Sequence, residues 1–269
     1  WSANLTSDAQ YLSAPGANQP NSVEVFIKKA YVQAKLGNGL FLRAGAADAP
    51  WIPYVEKFYG YRYVQNTMTD RLSYGTSADW GFHAGGDTAG GFSYAASLTN
   101  GRGYRNPSRS KGVDFEARLG YAPTQNTVLA VGGYTGKRGN ETQTVQPPHT
   151  GDRVDFMAAY ASAKYRLGAE WFQAKNWAVT NTVADKAGGW SAWASAQLMD
   201  NGLTAFARYD SVDTSKQVNP DFRNTYYHLG LEYPVTKGIK LATVYKSTKA
   251  ETANELETRE FGIWGDVQF

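Results

Sequence analysis

The sequence predicts an all-β fold, a transmembrane antiparallel up-and-down β-barrel of about 14 strands. Three observations carry that expectation. Residues 261–269 (FGIWGDVQF) put Phe261, Ile263, Gly265, Val267 and Phe269 on one face and Gly262, Trp264, Asp266 and Gln268 on the other, because strand side chains alternate across a sheet. Mean hydropathy is −0.49, and the longest apolar runs, such as residues 156–161, reach only about six residues, whereas a spanning helix needs about 20. Any membrane crossing must therefore be made by strands in a closed sheet. Finally, short turn sequences alternate along the chain with long polar stretches.

The elements follow in order. Trp1, Ala3 and Leu5 alternate with Ser2, Asn4 and Thr6, so the chain opens inside a strand. With no secretory signal ahead of it, this predicts that residues precede Trp1, and a hairpin there would raise the count to about 16 strands. Short connections are expected at 37–39, 87–91, 123–126, 167–168, 200–202 and 234–238, where Asn, Asp and Gly supply the positive φ that tight hairpins need. Long loops are expected at 13–22, 47–77, 100–112, 136–151, 180–187, 211–223 and 248–255. Short turns at one rim and long loops at the other is the layout of an outer-membrane barrel. All of residues 1–269 reads as one such domain.

Facing is assigned by parity. Phe115, Ala117, Leu119 and Tyr121 run outward into Pro123, and Tyr227, Leu229, Leu231 and Tyr233 run outward into Pro234. The returning strands are read as Val128, Ala130, Gly132, Tyr134 and as Ile239, Leu241, Thr243, Tyr245 outward. Tyr121 and Tyr233 then form an inner aromatic girdle and Tyr134 and Tyr245 an outer one. Strand 203–210 puts Leu203, Ala205, Ala207 and Tyr209 outward and Phe206, Arg208 and Asp210 inward. The opposite faces carry Asp114, Glu116, Arg118, Tyr226, His228, Glu232, Lys240, Lys246, Glu260 and Asp266. Charges in a closed core cost several kcal/mol unless paired, so a wet lumen is expected. Strands 23–36 and 169–179 do not alternate cleanly, and a bulge near Lys28 and Lys29 is expected in the first.

Composition excludes several chemistries. The chain has no Cys, which removes disulfides and thiolate sites. A net charge of +3 is too small and dispersed for nucleic acid. The 3 histidines, His83, His149 and His228, adjoin no carboxylate cluster, and no Ser sits in a glycine elbow. The reading is a non-enzyme with no cofactor and no metal site.

Several segments carry a resemblance. A closing strand ending in Phe resembles the sorting strand of bacterial outer-membrane barrels. Residues 29–45 (KAYVQAKLGNGLFLRAG), the Pro-containing loop that follows, Asn100-Gly101 and residues 112–123 (GVDFEARLGYAP) resemble the phosphate-selective porin O/P family of Gram-negative outer membranes. The resemblance implies a homotrimer of barrels of about 16 strands that passes small anions or other small solutes. Its partners would be outer-membrane lipid, lipopolysaccharide and the solutes themselves. That family lines its pore with a ladder of arginines and a lysine cluster, of which this sequence matches only Arg43, Arg62, Arg71 and Arg118 at lumen or loop positions.

The function expected is therefore a water-filled channel for passive diffusion of small hydrophilic solutes, with an anion preference as an addition. A conduit barrel within a secretion or electron-transfer assembly is the alternative. Residues 47–77 form the longest loop and hold Trp51, Tyr54, Glu56, Lys57, Tyr59, Tyr61, Arg62, Tyr63, Asp70 and Arg71. Such a loop is usually functional, and its aromatic density predicts that it folds into the lumen as the constriction. The residues expected to line the pore are Arg43, Glu56, Lys57, Arg62, Asp70, Arg71, Asp114, Glu116, Arg118 and Arg208. Arg102, Arg105, Arg109 and Lys111 read either as a basic vestibule or as a lipopolysaccharide-facing surface.

Overall fold

The computed structural model describes residues 1–12, 22–105, 107, 110–141, 149–177 and 184–268. The expected features at 13–21, Arg109, 180–183 and Phe269 lie outside these residues. Alternating sequence becomes a single 14-stranded antiparallel sheet in which every strand pairs with its chain neighbours. The strands are β1 (Ser2–Leu12), β2 (Ser22–Lys35), β3 (Phe41–Asp48), β4 (Ala78–Asp87), β5 (Phe92–Thr99), β6 (Asp114–Tyr121), β7 (Thr127–Gly136), β8 (Gly151–Ala161), β9 (Tyr165–Lys175), β10 (Lys186–Gln197), β11 (Thr204–Asp213), β12 (Arg223–Thr236), β13 (Ile239–Glu251) and β14 (Glu255–Val267). Among the described residues β1 and β14 pair on one side only.

The sheet curls round residues 49–77, which leave between β3 and β4 and touch inner-face side chains of β6, β8, β9, β11, β12 and β13. The segment is not a structureless loop. Pro53 near its first turn and Gly60 beyond its end bound a helix, α1 (Ile52–Tyr59). Gly60 takes φ +81 and its N–H bonds back to the Glu56 carbonyl, a left-handed cap that glycine adopts without strain. Ile52, Val55 and Tyr59 share one buried face, as a spacing near 3.6 requires. A single turn, α2 (Met68–Arg71), follows.

Parity holds in most strands. Phe261 and Ile263 are 74% and 73% exposed on an outward apolar face. In β6 the outward set is Phe115, Leu119 and Tyr121, with Asp114, Glu116 and Arg118 buried inside. Strands β11, β12 and β13 also follow the expected facing, with Phe206, Arg208, Asp210, Tyr226, His228 and Lys246 buried and Tyr209, Leu229, Leu231, Tyr233 and Leu241 exposed.

Strand β7 is the exception. Leu129 is 49% exposed and Val128 1%, the reverse of the expectation. Val128 and Ala130 join Trp51, Ile52, Val55 and Tyr59 in an apolar cluster, so the inner face is hydrophobic because the segment covers it. A strand apolar on both faces loses its period-2 signal. Gly132 leaves the room that the Trp51 ring occupies, since a Cβ there would fall against the indole. Tyr134 is therefore luminal rather than an outer girdle residue, and its hydroxyl donates to Asp114 Oδ2 at 2.5 Å.

Other expectations are corrected in detail. Leu167 and Gly168 lie within β9, and the turn before it is 162–164, closed by the Ser162 N–H to the Tyr165 carbonyl at 2.8 Å. Strand β9 alternates cleanly through Lys175. The predicted long loop 248–255 shrinks to 252–254, because β13 and β14 run on as a paired ribbon from Ser247 to Glu251. The interior beside the segment is packed rather than wet. Its charges are satisfied by pairing, as described below.

Arginine at Leu129 or Leu231 is expected to cost about 2–4 kcal/mol near the membrane midplane, read by refolding titration into lipid vesicles. Lys240→Arg on the inner face should stay within about 0.5 kcal/mol. Equal losses at both kinds of site would contradict the assigned facing.

Candidate functional site

The segment is held mainly by wall side chains bonding to its main chain. Arg118 Nε donates to the Pro50 carbonyl at 3.1 Å. Arg166 reaches the Lys57 and Phe58 carbonyls at 3.2 and 3.1 Å. Lys246 Nζ donates to the Val64 carbonyl at 2.8 Å and Arg208 to the Asn66 carbonyl at 2.6 Å. Trp177 Nε1 donates to the Ser73 carbonyl at 2.7 Å, and Arg153 to that of Tyr74. Wall acids take the N–H groups: Glu116 accepts from Trp51 at 3.3 Å and Glu170 from Met68 at 3.1 Å. An irregular segment lacks helix or sheet partners for these groups, and each left unsatisfied would cost about 1–3 kcal/mol.

Pairing then balances the buried charges. Arg153 contacts Glu116 at 2.9 Å and Asp155 at 2.8 Å. Arg208 contacts Asp210 at 2.7 Å, and Arg71 of the segment reaches the same carboxylate at 3.0 Å. Ser191 Oγ donates to Asp210 Oδ1 at 2.7 Å. Rings cover what remains: Arg118 lies 3.6 Å over Tyr54, Arg71 4.5 Å over Tyr226 and Arg208 4.9 Å over Tyr59.

The ten expected pore residues thus separate into kinds. Glu116, Arg118, Arg208 and Arg71 anchor the segment and are buried or nearly so. Asp114 is buried too, accepting from Tyr134 and from the Lys137 N–H at 2.8 Å. Glu56 pairs with Arg62 on the segment's own surface. Arg43, Lys57, Arg62 and Asp70 border open space. Sequence reading missed Arg153, Asp155, Glu170 and Arg166, although the inner parity of β8 and β9, once aligned, would have marked them.

Open space lies on both sides of the segment. Towards the long loops a cavity of about 510 Å³ is lined by Arg62, Asp70, Arg102, Tyr104, Arg105 and Arg138, among others. Towards the short turns a smaller one of about 190 Å³ is lined by Arg43, Asp48, Lys57, His83 and Arg118, among others. The acids near these spaces have partners. Asp48 pairs with Lys29 at 2.7 Å, and Asp79 accepts from the Trp80 and Gly101 N–H groups at 2.7 and 2.8 Å. Burial holds the Asp70 carboxyl above the usual carboxylate range, against the pull of Arg62.

The three histidines have separate partners and surroundings. His83 Nδ1 bonds Ser97 Oγ at 2.7 Å, His228 Nδ1 bonds the Tyr226 hydroxyl at 2.9 Å, and His149 is exposed in a loop. Among the described residues, no group of His, Asp and Glu is arranged to hold a metal.

Asp210→Ala should cost about 3–5 kcal/mol, because it leaves the Arg208 and Arg71 charges buried with no carboxylate. It should also open residues 49–77 to protease in the refolded protein. A variant as stable and as resistant as the parent would contradict the anchoring role.

No protein-family model matches the chain, and no curated protein matches it. Solved structures do. OmpF of Salmonella typhi, in complex with daunomycin, superposes with a TM-score of 0.65 at 12% identity over 91% of this chain and 81% of that one. The outer-membrane OmpT of Vibrio cholerae gives 0.63 at 13% over 90% and 80%. The anion-selective porin of Comamonas acidovorans gives 0.57 at 13% over 98% and 97%. What this chain shares with these proteins is their fold, the antiparallel barrel of outer-membrane porins.

Proposed function

We propose that this protein is a porin of the Gram-negative outer membrane, a channel for passive diffusion of small hydrophilic solutes with a preference for anions. The observation that carries the reading is the charged segment 49–77 lying across the interior, with basic cavities on both of its sides. Arg102, Arg105 and Arg138 meet a solute first, then Arg62, then Lys57 and Arg43, while Asp48 is paired with Lys29. In a narrow passage with few waters a net positive lining favours anions over cations. The outward apolar face supports placement in lipid, with lipopolysaccharide against the long-loop rim.

Specialisation for phosphate has less support than a general anion preference. Arg71 and Arg118, two of the arginines matched to a pore ladder, are committed to Asp210 and to the Pro50 carbonyl. A conduit for a polypeptide or an electron carrier needs an open lumen, and the many bonds to the segment oppose its withdrawal. Association into trimers belongs to the same reading. Ala192, Ala194 and Ala196 lie on the outward face of β10, where small side chains permit close contact between barrels, and OmpT of Vibrio cholerae has been solved in a trimer form.

Planar-bilayer recording in a chloride gradient tests the reading. The intact chain should form channels whose zero-current potential has the sign of anion preference, and Arg62→Glu should move it towards cations while loosening only the segment's own surface, where the new carboxylate faces Glu56. Arg71→Glu should instead destabilise the barrel, since it sets a buried carboxylate beside Asp210. Absence of channels would remove the porin reading, and an unmoved potential in Arg62→Glu would place the selectivity elsewhere.

Acid should strengthen the anion preference. As pH falls, Asp70, held above the usual range, takes up its proton before exposed carboxylates do, which removes a negative charge from the passage. In Asp70→Asn that rise should be smaller, with the carboxyl of Glu56, also held up by burial, contributing to the remainder. A parent and variant with identical pH profiles would exclude Asp70 from the passage.

A further inference from the structure

The wall facing the segment's charged side contains one irregularity. In the β1–β2 pairing Thr6 lies opposite Lys29 and Ser7 opposite Ile27, so Lys28 is an extra residue with no counterpart in β1. The exposed apolar positions of β2 show the consequence. They are Val23, Val25 and Ile27 before the irregularity and Val32 after it. Parity switches from odd to even across Lys28 and Lys29, as an inserted residue requires. Adjacent residues of a regular strand face opposite ways, but here both lysines take the inner face.

Their surroundings differ. Lys29 Nζ is tied to Asp48 at 2.7 Å and is spent on that pair. The Lys28 ammonium lies 5.7 Å over the Tyr104 ring and interacts electrostatically with Arg62 and Glu56 of the segment and with Asp8 of β1. Asp8 is already engaged by the Tyr104 hydroxyl at 2.6 Å and by Arg105 at 3.0 Å. Glu56 is engaged by Arg62. Lys28 thus adds a second cation beside Arg62, and the Asp70 carboxyl of the segment feels both. Bulges are found next to functional sites because they re-aim one side chain without disturbing the rest of the strand.

We propose that Lys28 is the wall-side selectivity residue of the passage: the bulge aims its ammonium over the Tyr104 ring, which lines the same cavity as Arg62, so that cations from two independent elements act on a permeating anion. This rests on the porin reading. It predicts that charge at position 28 sets ion preference even though Lys28 lies outside residues 49–77.

The chain has no native cysteine, so Lys28→Cys carries a single thiol. In a bilayer with a potassium chloride gradient, Lys28→Cys should lower the chloride-to-potassium permeability ratio by about two- to tenfold, the effect of one unit charge in a partly hydrated passage. A cationic methanethiosulfonate reagent added to the aqueous phase should restore the parental ratio, and an anionic one should push it further towards potassium. Lys111→Cys, on the exposed loop, should respond to neither reagent. If Lys28→Cys keeps the parental ratio and both reagents leave it unchanged, Lys28 does not face the passage and the inference is overturned while the porin reading stands. If the unmodified chain forms no channel, the porin reading falls and this inference with it.

Discussion

A wall guanidinium or ammonium donating to a main-chain carbonyl of the interior segment is the interaction on which the rest of this structure depends. Arg118, Arg166, Lys246, Arg208 and Arg153 each do so at a different point along residues 49–77. Glu116 and Glu170 perform the complementary task for N–H groups. Between and beyond its two short helices the segment leaves backbone groups it cannot pair internally, and a barrel interior offers no neighbouring strand to add to. The wall supplies the missing partners from side chains. Charge makes those bonds stronger than neutral ones would be.

That arrangement sets the balance of costs inside the barrel. Each buried charge would be expensive alone, so the anchors come with counter-charges: Asp155 for Arg153, and Asp210 for Arg208 and Arg71. The apolar side of α1 then packs on Val128, Ala130, Met157 and Trp193. One half of the interior becomes a mixed core, part hydrophobic and part ionic. The other side of the segment keeps Arg62, Lys57 and Asp70 facing open space. The same anchors hold the segment as a fixed partition of the interior.

Much of the wall could be read from alternation alone, because lipid on one side and charge on the other leave a period of 2 in β6, β11, β12, β13 and β14. The reading failed where the segment covers the wall. In β7 both faces are apolar, since Val128 and Ala130 pack on α1 while Leu129 and Val131 face outward. The bulge at Lys28 was visible as a break in parity, but only the β1 partners fix which residue is extra. The candidate site was legible by residue type and not by role. Asp114, Glu116, Arg118 and Arg208 are interior as their parity indicates, yet their partners come from elsewhere in the chain, and sequence spacing carries no trace of which carbonyl an arginine will bind. Arg153 and Glu170 were overlooked for the same reason.

The segment 49–77 partitions the interior and, on the porin reading, sets the width of the passage. Its ends are already joined, since the Ala49 N–H bonds to the Ser77 carbonyl at 3.1 Å, so residues 52–74 can be replaced by a short Gly-Ser link without moving β3 or β4. Single-channel conductance of that variant, recorded beside the intact chain, is the most direct measurement. The account predicts channels of several-fold larger conductance with altered ion preference, as the wall charges freed from the segment face the pore. Channels of unchanged conductance and selectivity would contradict it.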